Sequence, residues 1–290
     1  MQAPPSATLH SVWNLAKATF LIGGFALPLG GVLWWLGGLS VGALGLAVGL
    51  IAGATLLVLG DRIVLGMLEA EELPPDNVPG LTQAVYRLAE SMGVRVNELY
   101  LIEDDHPRTF ALGGPRHAAV VVTTGFLAMA SMDELEGLLA HELAHARHRD
   151  THMQTSVVVI AATILELARF AGPLRKAMLY FLGPLAGSIV QLFVSPNREF
   201  AADLAADLAC VTPNVVVTGL ERLDRASELV AFSANPATEP LYTLDPFDDD
   251  GLAGWFSTHP PLADRLLRLG KRAAVHSESA SASDTPPPSP

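Results

Sequence analysis

Residues 18–60 contain no charged side chain, and a run of that length is enough for two membrane crossings of roughly 20 residues each. Gly37, Gly38 and Ser40 mark its turn, so the pattern predicts a transmembrane hairpin. A cleaved signal peptide does not fit, because its apolar core is about 7–15 residues and follows a basic start, whereas only Lys17 precedes this run. After Asp61 and Arg62 the pattern becomes that of a soluble domain. Pro74, Pro75 and Pro79 form a linker, residues 81–92 alternate with helical period, and Gly93 stops them. Residues 94–102 and 118–124 read as strands, the second richer in β-branched residues, with a polar loop between.

The next element carries its own start signal. Ser131 followed by Glu134 makes a capping box, Asp133 adds negative charge to the first turn, and Leu135, Leu138, Leu139 and Leu143 give an apolar stripe that continues to His148. Gly137 is its one weak helix former. A second apolar pair, residues 157–167 and 177–195, is interrupted by Glu166, Arg169, Arg175 and Lys176. If both cross the membrane, the basic connection conflicts with the positive-inside tendency; packing on the membrane surface or within the fold are the other readings. Ser195 and Pro196 then cap a helix through Asp203. Residues 231–255 are rich in Asp, Pro and Gly and read as a flexible insertion that could also cover a cleft. The Ser, Ala and Pro-rich residues 276–290 read as disordered. The organisation expected is a tail and hairpin over 1–62, a folded unit over 63–271 and a tail over 272–290.

Composition sharpens this picture. Among 290 residues, 50% are hydrophobic and 17% charged, which with a mean hydropathy of +0.36 is too apolar for an ordinary soluble chain and makes a lipid bilayer the expected surroundings. The net charge of -12, with no basic block, argues against nucleic acid as a partner. The single cysteine, Cys210, excludes an internal disulfide and a thiolate-rich metal site, and its apolar neighbours favour an inert thiol.

The candidate chemistry lies in the capped helix, where His141, Glu142 and His145 spell H-E-x-x-H. Four residues are slightly more than one helical turn, so both imidazoles project from one face and can grip one zinc ion. Glu142 sits about 100° around the helix, within reach of a metal-held water as general base. A third ligand is needed. Glu199 and Asp203 are also four apart, and a carboxylate at Glu199, with Asp203 acting indirectly, completes a His, His, Glu site for one Zn2+ per chain. A third histidine close behind the motif would need glycine at 148 and histidine at 151; the chain has His148 and Thr151, with His152 one position out of register. Residues Ala119, Val120, Val121, Val122 and Thr123 are the candidate edge strand that would hold an extended peptide by main-chain hydrogen bonds; a plain core strand is the other reading.

The hydrophobic hairpin, HELAH, the second apolar pair, REFAAD and STHPPLADRLLRL, in this order, resemble the HtpX-type membrane zinc metallopeptidases, relatives of the CAAX prenyl proteases. The resemblance covers about residues 15–271. It implies a mainly helical α+β fold, membrane-anchored and zincin-like, with a small β-sheet beside the H-E-x-x-H helix and transmembrane helices. It also implies zinc on His141, His145 and Glu199, water activation by Glu142, and Asp203 as indirect partner. The closing motif of the prenyl-protease relatives places a histidine and an arginine near the scissile carbonyl; these fall on His259 and Arg265, where a cation or N–H would stabilise an oxyanion. The chain departs from relatives that carry Asn-Ala-Phe-Ala before the edge strand, having Arg108, Thr109, Phe110 and Ala111. The implied activity is endoproteolysis of membrane or misfolded proteins in the cell membrane, with several crossings and the site facing the cytosol. An inactive membrane scaffold would lack part of the ligand and acid set, and a metal transporter would place its ligands within the apolar spans.

Overall fold

The computed structural model describes residues 7–129, 131–212, 214–229, 236–244 and 256–270. Helix α1 (Ala7–Met67) is broken at Gly38, whose φ of 76° and ψ of -168° lie outside the helical region and suit a residue without a side chain. The two arms fold back on each other there, which is the hairpin that the uncharged run predicts. Small residues let them approach closely. A Cβ added to Gly42 would lie 2.5 Å from Trp34, and one on Gly49 would lie 2.5 Å from Ala26. The outer surfaces stay apolar and open, with Trp35 85% and Leu39 81% exposed. The stretches Thr19–Met67 and Phe170–Phe193 are each long and apolar enough to cross a membrane.

A four-stranded sheet follows, formed by β1 (Glu71–Glu72), β2 (Val96–Ile102), β3 (Thr109–Gly114) and β4 (His117–Thr123) in the order β1-β2-β4-β3. Strand β3 comes from the stretch read as a polar loop. Its Thr109, Phe110, Ala111 and Leu112 are all buried, and it pairs antiparallel with β4 from Thr109↔Val122 to Gly114↔His117. Strand β4 also pairs parallel with β2, Leu99 opposite Val120. Alternation along β4 sends Val120 and Val122 to one face and Ala119 and Val121 to the other. Each face meets a different half of the molecule.

The first face packs on α2 (Pro79–Met92) and α4 (Met132–His148), and α7 (Asn197–Ala209) and α8 (Val215–Ser227) pack on α4; the four helices share a core through Leu88, Leu138, Leu139, Ala206 and Leu220. Between β4 and α4 lies the short α3 (Thr124–Met129), whose Phe126 joins that core. The second face meets Val64 of α1 and Val158 of α5 (Thr151–Leu167). Helix α5 is buried over most of its length, and its other side packs on Ala186 and Val190 of α6 (Arg175–Phe193). The two members of the second apolar pair therefore differ. One lies inside the fold, while the other exposes Tyr180, Phe181 and Leu192. A last helix, α9 (262–270), closes the described chain. Residues 245–255 and 271–290, with the predicted tail, lie outside the described residues.

Candidate metal centre

Helix α4 begins where the capping pattern places it. The Glu134 carboxylate accepts from the Ser131 N–H at 2.9 Å and from its hydroxyl at 3.0 Å. Three turns later His141 and His145 project side by side, their Nε2 atoms 3.2 Å apart. Helix α7 crosses so that Glu199 Oε2 lies 3.2 Å from His141 Nε2 and Oε1 lies 3.5 Å from His145 Nε2. All three residues are at most 5% exposed.

Neither Glu199 oxygen has a hydrogen-bond partner despite full burial. Arg198 Nε lies 3.2 Å from Oε1 and Arg265 Nη1 3.7 Å from Oε2, so the carboxylate has cationic neighbours, but its lone pairs stay without a hydrogen bond and free to take a metal ion. Four ligands placed tetrahedrally at about 2.1 Å from a metal are separated from one another by about 3.4 Å. The observed separations of 3.2 to 3.5 Å match that edge. Among the described residues, these three form a cluster that could hold a metal ion. They fit one.

The other ring nitrogens are anchored as well. His141 Nδ1 lies 2.9 Å from Asp203 Oδ1, and His145 Nδ1 faces Asp150 at 3.5 Å. Such contacts fix ring orientation and direct Nε2 at the ion. Burial alone would push the Glu199 carboxyl up, but the His259 and His145 imidazoles outweigh it and hold the group well below the usual carboxylate range. The acid is ionised and ready to bind a cation. Burial opposes charge on His145, yet Glu199 and Asp150 lift its pKa to about 9.

The closing motif is also drawn in. Arg265 is fully buried, and its Nε and Nη2 donate to Asp203 Oδ2 and Oδ1 at 2.8 and 2.6 Å, while Nη1 donates to the Thr243 carbonyl at 2.5 Å. With each of its nitrogens bonded, Arg265 braces Asp203, and its Nη2 and Nη1 also lie 3.5 Å from His141 Nε2 and 3.7 Å from Glu199 Oε2. Its guanidinium thus lies beside the metal-binding candidates with its hydrogen bonds already taken up. His259 is placed differently: Nδ1 is 2.7 Å from Glu239 Oε1, and Nε2 is 3.8 Å from Glu199 Oε1 with no partner of its own.

A correction concerns Ala119, Val120, Val121, Val122 and Thr123. Strand β4 is paired on both sides, by β2 and β3, so its main-chain groups are already engaged and it is not an edge. The edge beside the ligands is β3. The Thr243 hydroxyl lies 2.8 Å from Glu142 Oε1 and 3.4 Å from the Thr109 carbonyl, so the end of β3 and the candidate base meet at one side chain.

Sequence reasoning missed Asp150, Glu239 and Thr243. Asp150 carried a usable signal, standing five residues beyond His145. The other two sit in residues 236–244, part of the stretch read as a flexible insertion; these nine are a buried strap instead. The carbonyl of Pro240 in this strap accepts from Gln154 and from Arg198 Nη2.

Residues 75–273 match Peptidase family M48. The chain belongs to that family. It is similar to a "Protease HtpX homolog" of Ralstonia nicotianae, 35% identical over 226 residues, which covers 72% of this chain and 79% of that protein. Another, of Burkholderia cenocepacia (strain HI2424), is 34% identical over 230 residues, 73% of this chain and 81% of the relative. The crystal structure of S. mikatae Ste24p is 18% identical with a TM-score of 0.45, covering 90% of this chain and 66% of that one, just under two thirds. The family match and the His141, His145, Glu199 cluster agree on a metallopeptidase with membrane-type apolar helices.

Proposed function

We propose that this M48 peptidase is a zinc-dependent membrane endopeptidase that cleaves membrane or misfolded proteins, with its site on the cytosolic side. The observation that carries the reading is the convergence of two imidazole nitrogens, on the helix that carries Glu142, and a buried carboxylate that makes no hydrogen bond, at 3.2 to 3.5 Å. Nitrogen and oxygen donors, in a tetrahedral set with one position left for water, suit zinc. When bound there, zinc polarises the peptide carbonyl and lowers the pKa of water.

The chain's own residues supply the rest. Glu142 takes the proton released as water attacks and returns it to the leaving amine. His259, with Nε2 turned toward Glu199, is the donor for the developing oxyanion. The outer edge of β3 holds the peptide extended over Phe110 and Ala111, since the Thr109 carbonyl already accepts from the Thr243 hydroxyl. It can do so only that far, because the Gly113 N–H donates to Asp61 and its carbonyl accepts from Thr151. Asp61 belongs to an arm of the apolar hairpin, so this edge lies one hydrogen bond from the membrane anchor. That proximity supports substrates drawn from or near the bilayer.

The test is cleavage of casein by the purified, detergent-solubilised chain, with wild type and Glu142→Gln compared at equal zinc content. Loss of at least about a hundredfold in rate with zinc retained is expected of a lost general base. Equal cleavage by the two proteins would remove the mechanism.

A further inference from the structure

Glu239 is completely buried and lies in the strap, far in sequence from α4 and α7. Its carboxylate takes three hydrogen bonds from two consecutive residues: the Thr258 N–H at 2.8 Å, the Thr258 hydroxyl at 2.8 Å, and His259 Nδ1 at 2.7 Å. Removing a carboxylate from water costs several kcal/mol even after relaxation, so the strap carries a charge that an alanine or threonine in a packing role would not impose. What the charge achieves is visible at the ring. Both Glu239 oxygens are engaged by this one dipeptide, which fixes the plane of the imidazole and leaves its other polar atom, Nε2, buried without a partner and 3.8 Å from Glu199 Oε1.

We propose that Glu239 is a positioning residue: by accepting from His259 Nδ1 it holds the ring with Nε2 turned toward the carbonyl under attack. The inference rests on the peptidase reading for its catalytic consequence, while the orientation itself does not. The same strap places the Thr243 hydroxyl on Glu142, so residues 236–244 set the position of groups on two sides of the site. The strap is part of the active centre.

The variants needed are Glu239→Ala, Glu239→Gln, His259→Ala and the double variant Glu239→Ala with His259→Ala, each in the full chain at equal zinc content. Loss of an oriented oxyanion donor predicts that Glu239→Ala lowers kcat about a hundredfold with little change in KM. Glutamine offers the same carbonyl oxygen to Thr258 N and His259 Nδ1, so Glu239→Gln should stay within about fivefold of wild type. The double variant should be no slower than His259→Ala, because Glu239 acts through that ring. A wild-type rate in Glu239→Ala, or an equal further loss in the His259→Ala background, would overturn the assignment; the second result would show a role in folding alone. If wild type and Glu142→Gln cleave casein equally, the peptidase reading fails by itself. The positioning is then decided by NMR of the metal-free, 15N-histidine-labelled chain. A downfield Nδ1–H proton that disappears in both His259→Ala and Glu239→Ala and persists in Glu239→Gln is expected; its survival in Glu239→Ala would refute the proposal.

Discussion

Among the described residues Arg265 is the largest side chain with no exposure, and its burial is compensated chiefly by Asp203, which meets it with two hydrogen bonds at 2.8 and 2.6 Å. Burial works against its charge, but the Asp203 carboxylate holds its pKa above the ordinary value. Removing one partner of a buried pair leaves an uncompensated charge and costs about 3–5 kcal/mol. Arg265→Met should therefore lower the melting temperature sharply. Replacing both partners, as in Arg265→Met with Asp203→Leu, should recover much of that stability while weakening zinc affinity about 10–100-fold, since His141 Nδ1 loses its anchor. Thermal unfolding and a zinc-chelator competition separate the two effects; a double variant that binds zinc as tightly as wild type would contradict the bracing role. The shared faces were legible in the sequence, because helical spacing determines which residues project together, as at 141 and 145 and again at 199 and 203. The orientation of Arg265 was not legible, because spacing within a helix says nothing about which distant carboxylate a long side chain will meet.

Helix α4 illustrates how far local signals carry for a whole element. Its start, stripe and length follow from Ser131, Glu134 and the leucines, and the helix forms over Met132–His148 as they require. Gly137, its one weak helix former, has a reason that only packing reveals. Helix α8 crosses so closely that a Cβ on Gly137 would sit 2.5 Å from the Val215 carbonyl oxygen and 2.8 Å from the Val216 nitrogen, both main chain and unable to yield. Alanine there gains about 1 kcal/mol of helix propensity but forces the two helices apart at a cost of about 1–3 kcal/mol or more. Gly137→Ala should thus destabilise the protein in denaturant titration, while Gly80→Ala in α2, where the nearest atoms are the end of the flexible Met132 side chain at 3.9 Å, should not. Equal midpoints for the two would show that the crossing has slack. The elements least legible were β3 and the strap. Strand β3 carries Arg108 at its entry and two glycines at its end, which read as loop, and it is a strand because β4 pairs with it and because Phe110 and Leu112 are covered by α1 and α5. The strap has no periodicity of its own; its Pro240 and Tyr242 are ordered by Gln154, Arg198 and Arg108, which lie far away along the chain.

At the scale of the whole molecule, the hairpin and the catalytic half are one structure joined at a few points. Asp61 is chief among these. Standing near the end of the second arm of α1, it accepts from the Gly113 N–H of β3 at 3.0 Å and from the Thr155 hydroxyl of α5 at 2.8 Å, and it pairs with His152 at 3.3 Å. Three residues on, Val64 is buried against Phe110 and Leu112 in the layer beneath the sheet. The strand proposed to hold substrate is thus pinned at one end by the membrane arm and bridged at the other by Thr243. Asp61→Ala removes the first restraint and leaves the Gly113 N–H without its acceptor, a penalty of about 1–3 kcal/mol for each stranded buried group. If the arm positions the strand, amide exchange over Thr109–Gly114 should quicken in the variant while exchange within α4, which meets the sheet from its other face, and within α7, which packs on α4, stays as in wild type. Hydrogen exchange read by mass spectrometry resolves these segments. Uniform loss of protection across the protein would mean that Asp61 supports global stability only, and unchanged protection of β3 would mean that the sheet holds its edge without the membrane arm. The localised result alone supports a peptidase whose substrate strand is held in place by the helix that anchors it.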